Sequence, residues 1–577
     1  MSKMLTVAVQ SPEGQKRIQV SSSGKAEDLY KSVFSAFDLA SMEFILAKDQ
    51  KKKTLVDNSR IKSLTSLGIK HGDRLFMFPK TKTDVFKSPE ETGSSSKQTA
   101  VVYEEDEVDK LLRKQDGRIE RGRDNLHCQH NTNSQCVHCI PLDPFDESYL
   151  KEKQIKFMSF HSYLRKISGG VSKGKFAPLR NLSCKVEHTS RCSHQPYPQG
   201  ICSKCQPSAV TLNRQPWRHV DSIMFENPKI VDRFLQFWRE SGAQRAGWLY
   251  GRYEVYPEVP LGIKAVVSAI YEPPQESSKD HIRILTDPRQ ELVDELARNL
   301  GLVKVGWIFT DLVPGANGQV RNYRGADSHF LSAQEIISAA VLQNSNPNPC
   351  RETDDGVFGS KFVTVCVTGN KDKEIHMEGY QVSNQCMSLV KDKILVPTKD
   401  APELAYIRES TDENYVPDVF FMEKDKYGNE IKKLGRPLPV EYLLLDVPVS
   451  SPLEPQSTFT ILTDRNPFPV ENRLLDSSLQ DFNSFAKYVN QFRSAEFLEA
   501  VSDLHVLIFM ANLDIIPLRL VTHVLIFMAN LDIIPLRPLM GPLLEAVRTG
   551  DREAAREWSY LDPWSNLQAL IQASTMN

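Results

Sequence analysis

CQHNTNSQCVHC, residues 128–139, is the stretch on which the architecture turns. It reads Cys128-x-His130-x5-Cys136-x2-Cys139, and a second run downstream, Cys192-x-His194-x7-Cys202-x2-Cys205, repeats the grammar with a longer spacer. Each run supplies three thiolates and one imidazole, the ligand set of a closed tetrahedral zinc site. Two knuckles on one short segment let four ligands converge without a large core. The spacing therefore predicts two structural zinc ions. All four positions of each are filled, leaving no place for a reactive water. His127, His138, His188 and Cys184 lie near enough in sequence to replace a ligand. The plainer reading is free thiols or a redox C-x-x-C. A thioredoxin-like site needs one C-x-x-C at a strand–helix junction, whereas here there are two, each partnered by Cys-x-His.

Of the ten cysteines, these clusters and Cys184 fall between 128 and 205; Cys350, Cys366 and Cys386 are scattered. The opening MSKMLTVAVQ has no charged segment leading into an apolar one, so no secretory signal is expected. In a reducing compartment clustered thiols favour metal over disulfides. A net charge of −2 offers no general basic field for nucleic acid. The apolar runs Val506–Met510 and Val524–Met528 are far short of the ~20 residues a spanning helix needs, and each leads to an Asp and a Pro. No transmembrane segment is expected.

Outward from the knuckles, the chain divides into five parts: a head over 1–79, a flexible linker over 80–105, the zinc region over 106–216, an α/β domain over 217–395 and a mixed, mainly helical region over 396–577. In the head, Leu5, Val7 and Val9 alternate as in a half-buried strand, and a turn leads to Ile18 and Val20. Leu29, Tyr30, Val33, Phe34 and Phe37 then follow at helical spacing. Leu67–Asp73 turns into the apolar run Leu75–Phe78. This order resembles ubiquitin-like β-grasp domains. Residues 80–105 are low in apolar content and carry a Gly-Ser run. From about 217, Asn227-Pro228 caps a helix that Gly242 ends, with Ile230, Val231, Phe234, Leu235 and Trp238 inward. Asp287-Pro288 opens another that closes at Gly301. Strand-like runs lie at 247–250, 265–271, 303–309 and 361–367.

The run KVGWIFTD, residues 304–311, resembles the metal-binding strand of the MPN/JAMM family, which includes zinc deubiquitinases. Active members read Gly-Trp-x-His-x-His followed by Ser-x-x-Asp. Here Phe309 and Asp311 stand at the two histidine positions, and Gln244 falls where a Glu is expected. Hydrolysis of this kind needs a metal with one open position and a general base, which these residues do not supply. Ser332-x-x-Glu335 echoes the last element but reads better as a capping box. No phosphate-binding loop, H-E-x-x-H or G-x-S-x-G occurs.

Taken together, KQDG (114–117), PLDPFD (141–146), KCQPSA (204–209), TLNRQ (211–215), VDSIMFEN (220–227) and GYQVSNQC (379–386) closely resemble the nuclear protein localization 4 homologs. The resemblance covers almost the whole chain. It implies a multidomain α+β protein with a ubiquitin-like head, double zinc-knuckle module, inactive MPN domain and C-terminal domain. It also implies a non-catalytic adaptor that pairs with the ubiquitin fusion degradation 1 protein and brings polyubiquitinated clients to the valosin-containing AAA ATPase. The expected setting is cytoplasm, nucleus and the cytosolic face of the endoplasmic reticulum. The alternatives are a JAMM-type zinc deubiquitinase and a RING-like ligase; RING sites interleave eight ligands, unlike these separate clusters. Animal relatives often end in a further ubiquitin-binding zinc finger, and no such motif precedes Asn577, so that contact is expected to be absent.

One feature departs from the family. HVLIFMANLDIIPLR occurs twice, at 505–519 and 523–537, letter for letter. Two identical copies cannot build a solenoid, so they read as a local duplication or an assembly artefact.

Overall fold

The computed structural model describes residues 4–11, 14–21, 24–37, 44–49, 54–56, 63–64, 66–79, 104–123, 128, 130, 136–168, 179–186, 194–425, 427–460, 465–473, 475, 479–513 and 536–575. The expected linker lies outside these residues except for Glu104 and Glu105, as do Cys192, His127 and His188. The chain forms two compact units, Met1–Val101 and Val102–Asn577.

In the first unit, Met4–Ser11 and Gly14–Ser21 pair antiparallel with Val7 opposite Ile18 and Leu5 opposite Val20. Residues directly opposite share a face, so one side of the hairpin is apolar. Val7, Val9, Ile18 and Val20 are buried there under Leu29 and Val33 of the helix Ala26–Ala36 and Phe37 just beyond its end. Phe34 and Leu5 pack at the margin. Arg74–Pro79 runs parallel to the first strand in the sheet centre, with Phe44–Ala47 and Leu55–Val56 beyond it. This is the β-grasp arrangement that the alternation predicts. Tyr30 ties helix to sheet: its hydroxyl donates to the Val56 carbonyl at 2.6 Å and accepts from the Leu46 N–H at 2.9 Å.

The second unit is built on an eight-stranded sheet. Its spatial order is Leu444–Val447, Ile375–Val382, Val363–Gly369, Val303–Thr310, Ala246–Tyr256, Gly262–Tyr271, Ser222–Phe225 and Val449–Ser450. The first and last of these strands are consecutive in the chain. Gly379 pairs with Val447, and Ile223 pairs with Val449, so residues 444–450 join the two edges of the sheet. A strand pair from the C-terminal part thus covers edges that would otherwise expose unpaired backbone groups. One face buries Leu249, Ala265, Val305, Val363 and Val365 under the helix Pro228–Ser241. The other carries Tyr250 and Tyr271 against Gln290–Asn299 and the C-terminal helices. On that face, Trp307, Phe309 and Tyr380 lie against Ala333–Ser345 and Asn384–Lys391.

The capping signals are expressed as read at Pro228–Ser241: Asn227 accepts from the Lys229 N–H at 2.9 Å, and Gly242 adopts φ 69°. Phe237, absent from the expected inner face, is buried too, because the Arg245 guanidinium stacks 4.4 Å from its ring centroid. Asp287 accepts from Arg289 at 2.9 Å, and the regular helix starts only at Gln290. The strand expected from 361 starts at Val363, since the Lys361 ammonium turns inward to Asp106 and Asp109.

The zinc region is bound to the sheet at several points. Helix Glu107–Lys114 packs Val108 and Leu112 on Leu261 and Ile263. Met158–Ser159 pairs with Trp217–Arg218, and Val210–Leu212 with Val419–Lys424. In the C-terminal helices, Leu504–Ala511 is almost wholly buried. Leu536 shares that core, and Arg537 pairs with Glu295 at 2.8 Å. Of the duplicated sequence, the described residues therefore include 505–513 of the first copy and the closing Leu536-Arg537 of the second. Most of the second copy, 523–535, lies outside the described residues. Among the described residues, no helix is long and apolar enough to cross a membrane.

Candidate metal centres and the Arg324 cluster

Cys128, His130, Cys136 and Cys139 converge, with their ligand atoms all within 4.8 Å of one another. The Cys136 sulfur lies 3.6 Å from that of Cys128 and 3.8 Å from that of Cys139. A tetrahedron with Zn–S bonds of about 2.3 Å has S···S edges of about 3.8 Å, whereas a disulfide needs about 2.05 Å. The Cys139 sulfur is 3.1 Å from His130 Nε2. The donor set and its spacing fit zinc. The backbone N–H of His138, aimed at Cys136, is the main influence lowering that thiol to about 6, which favours the thiolate a metal requires.

The local turn explains the convergence. The Cys136 carbonyl accepts from the N–H of Cys139 at 3.1 Å and of Ile140 at 2.9 Å. The Cys202 carbonyl accepts from Cys205 and Gln206, both at 3.1 Å. The same turn at both places points the paired sulfurs to one side. Arg121 caps the first knuckle through the carbonyls of Val137 and Ile140, at 2.6 and 2.7 Å. His194, Cys202 and Cys205 form the second cluster. It leans on 411–415, where Tyr197 N–H donates to Asp412 at 3.1 Å and Gln206 donates to the Tyr415 hydroxyl at 2.7 Å. Cys184 belongs to neither cluster; it is buried in the packing around Leu389, and its N–H donates to Asp392 at 2.7 Å.

The strand end at 309–311 has a different chemistry. Phe309 is buried, 4.8 Å from the Trp307 ring centroid and paired in register with Cys366. Asp311 accepts from Arg324 Nε at 2.6 Å. The same guanidinium donates to both Glu335 oxygens, at 2.6 and 2.9 Å, and to the Phe330 carbonyl at 2.7 Å. Glu335 also closes the expected capping box, with Ser332 N–H donating at 2.8 Å and Glu335 N–H reaching Ser332 Oγ at 3.3 Å. Burial opposes the Arg324 charge, yet Glu335 and Asp311 together raise its pKa above the usual guanidinium range. Burial also raises the Cys366 thiol well above its ordinary value, so it stays protonated and the two carboxylates carry the balancing charge. Gln244 uses both halves of its amide: it donates to Lys279 and Leu312 carbonyls and accepts from Thr310 Oγ1 and the Leu312 N–H. A hydrolytic metal does not fit here. Phe309 has no donor atom, and both carboxylates hold an arginine.

Two groups of residues escaped sequence reasoning. Arg324 carries no spacing signature relative to Asp311. Lys361, Asp109 and His161 form a buried cluster in which His161 Nε2 lies 2.8 Å from Asp109, drawing its members from three distant segments.

Comparison with known proteins covers the chain. A family model described as NPL4 family matches residues 245–522. Its zinc binding region matches 103–242, and a model for nuclear pore localisation protein NPL4 matches 4–78. The chain is 50% identical over 589 aligned positions to a Drosophila melanogaster protein called nuclear protein localization protein 4 homolog, covering 100% of this chain and 87% of the relative. The Homo sapiens protein of the same name is 48% identical, with 99% and 91% covered. Among solved structures, Caldiarchaeum subterraneum ubiquitin aligns with 14% of this chain and 99% of its own at 18% identity and a TM-score of 0.12.

Proposed function

This chain belongs to the NPL4 family, and from that premise we propose that it is a non-catalytic adaptor. With the ubiquitin fusion degradation 1 protein, it recruits polyubiquitinated substrates to the valosin-containing AAA ATPase for unfolding and proteasomal or endoplasmic-reticulum-associated degradation. The β-grasp head at 1–79 is the docking module for the ATPase. The two knuckles each hold one structural zinc, through Cys128, His130, Cys136 and Cys139 and through Cys192, His194, Cys202 and Cys205. The inactive MPN domain over 217–395 and the C-terminal domain over 396–577 form the ubiquitin-facing platform. The relatives' names point to the nucleus; the cytoplasm and the cytosolic face of the endoplasmic reticulum follow from the proposed work.

The observation that carries the non-catalytic part is the pairing of Asp311 and Glu335 with Arg324 beside Phe309. A guanidinium has five donors and no acceptor and does not deprotonate in proteins, so it can neither ionise a water as a Lewis acid nor take its proton as a base. The test is co-precipitation of the ATPase and polyubiquitin with the full chain, with and without the partner subunit, alongside a polyubiquitin cleavage assay. Capture without cleavage is the expected result. Failure to capture the ATPase sinks the adaptor reading, and chelator-sensitive cleavage revives the deubiquitinase.

A further inference from the structure

We propose that Arg324 is a built-in cation: its guanidinium takes the place of a divalent ion in an all-oxygen cradle made by Asp311, Glu335 and the Phe330 carbonyl. This rests on the non-catalytic reading of the same strand end, and it adds what keeps that end folded and closed to metals.

Three features carry it. The hydrogen-bond acceptors on Arg324 are one carboxylate oxygen of Asp311, both of Glu335 and one backbone carbonyl. Mono- and bidentate carboxylates with a backbone carbonyl are the ligands that hard divalent cations choose. The burial is also arranged as for an ion. The Arg324 side chain is 3% exposed, while Asp311 and Glu335 keep 26% and 23%. The cation is sealed, and its anions remain reachable from water. Finally, the cradle joins separate pieces of chain. Asp311 follows a central strand and is held by its N–H to the Val367 carbonyl at 2.8 Å. Glu335 starts the helix Ala333–Ser345, and Phe330 lies in the loop between. One charge therefore closes the 311–335 excursion. The stacking of Arg324 6.0 Å from the Phe309 ring centroid adds a contact that a metal ion would not make through the same planar face.

Without the guanidinium, two carboxylates stand together with no cation between them. They repel each other and the excursion loosens, unless another cation enters. Mn2+ suits the probe because it accepts oxygen ligands and its free aqueous ion is counted directly by EPR.

The experiment uses the full-length chain with Arg324→Met, which retains bulk but no charge. The wild type is expected to bind no Mn2+ at this site. The R324M variant is expected to bind one, and to regain with it at least half of the unfolding temperature lost. The triple variant R324M/D311N/E335Q is expected to bind none, yet to be more stable than R324M alone, since its amides need no cation. Glutamine at 335 can still serve the capping box, so that helix start is preserved. If R324M does not fold, refolding it with and without Mn2+ gives the same reading through the yield. An R324M protein that neither takes up Mn2+ nor recovers with it overturns the proposal. So does a triple variant no more stable than R324M, or Mn2+ uptake by the wild type that D311N/E335Q abolishes. None of these outcomes depends on ATPase or ubiquitin capture, so the proposal and the adaptor reading fail separately.

Discussion

Replacing Asp109 by Asn should release the helix Glu107–Lys114 from the sheet domain, and the size of the effect follows from the buried cluster around it. Asp109 is almost fully buried and faces the Lys361 ammonium and His161 Nε2. Burial alone would raise its pKa; the His161 hydrogen bond and the Lys361 charge outweigh that and lower it to about 2. The folded value lies below the ordinary carboxylate value of about 3.9, so the stabilisation is complete above about pH 4 and fades as pH falls through about 2. At pH 7 it is fully present and amounts to about 2 kcal/mol, or roughly thirtyfold in a local opening equilibrium. The D109N variant also leaves Lys361 with only Asp106, whose side chain is 45% exposed. Hydrogen exchange of the 107–114 amides at pH 7, read by mass spectrometry, should accelerate by roughly thirtyfold or more. The D106N control should change several-fold less, because a half-exposed partner is screened by water. Unchanged exchange in D109N, or an equal effect in D106N, would refute the assignment of this energy to the buried carboxylate.

The duplicated segment predicts a redundancy. Val524, Leu525 and Ile526 repeat Val506, Leu507 and Ile508, so Leu507→Asp should lose far less thermal stability than the pair L507D/L525D; equal losses would show that the second copy cannot fill the core. The first copy is preceded by Asp503, which caps His505 at 2.8 Å and pairs with Arg233 at 2.7 Å; the corresponding position before the second copy is Val521. Removing zinc with a chelator should expose the knuckle cysteines to alkylation while Cys184, Cys350, Cys366 and Cys386 stay protected. Burial raises the thiol pKa of each of those four, to about 12 for Cys184 and Cys350, and peptide mapping of the label checks this. Gly359 adopts φ +63°, and a Cβ there would sit 2.0 Å from the buried His219 Nε2. Gly359→Ala should therefore cost roughly 2 kcal/mol or more in denaturant unfolding.

Local chemistry determines what could be read in the chain without its fold. The ligands of each knuckle are close neighbours in sequence, within 128–139 and 192–205, and the Cys-x-x-Cys turn is held by backbone bonds to the carbonyl of its first cysteine. The caps at Asn227 and Ser332 and the alternation of Val7 and Val9 are local in the same sense: the residues that form each signal are the residues that make the contact. The division of the central sheet was not legible. Nothing in 444–450 announces that its two halves pair with opposite edges of a sheet begun at 222, because strand partners are chosen by tertiary packing and not by sequence neighbours. Arg324, Lys361 and Arg473 read as ordinary charged residues, and only folding surrounds them with carboxylates. Arg473 shows the reason most plainly: its partner Glu272 is 201 residues away, and it shares that buried carboxylate with Arg245. Periodicity and spacing record contacts along an element; a buried charge is balanced by whatever the fold brings to it. The sequence by itself therefore determined two Cys/His runs with metal-ligand spacing and placed Phe309 and Asp311 where a histidine pair is expected. The tertiary structure alone decided that an arginine stands at that strand end, because a guanidinium sealed from water needs the carboxylates of Asp311 and Glu335 that only the fold brings to it.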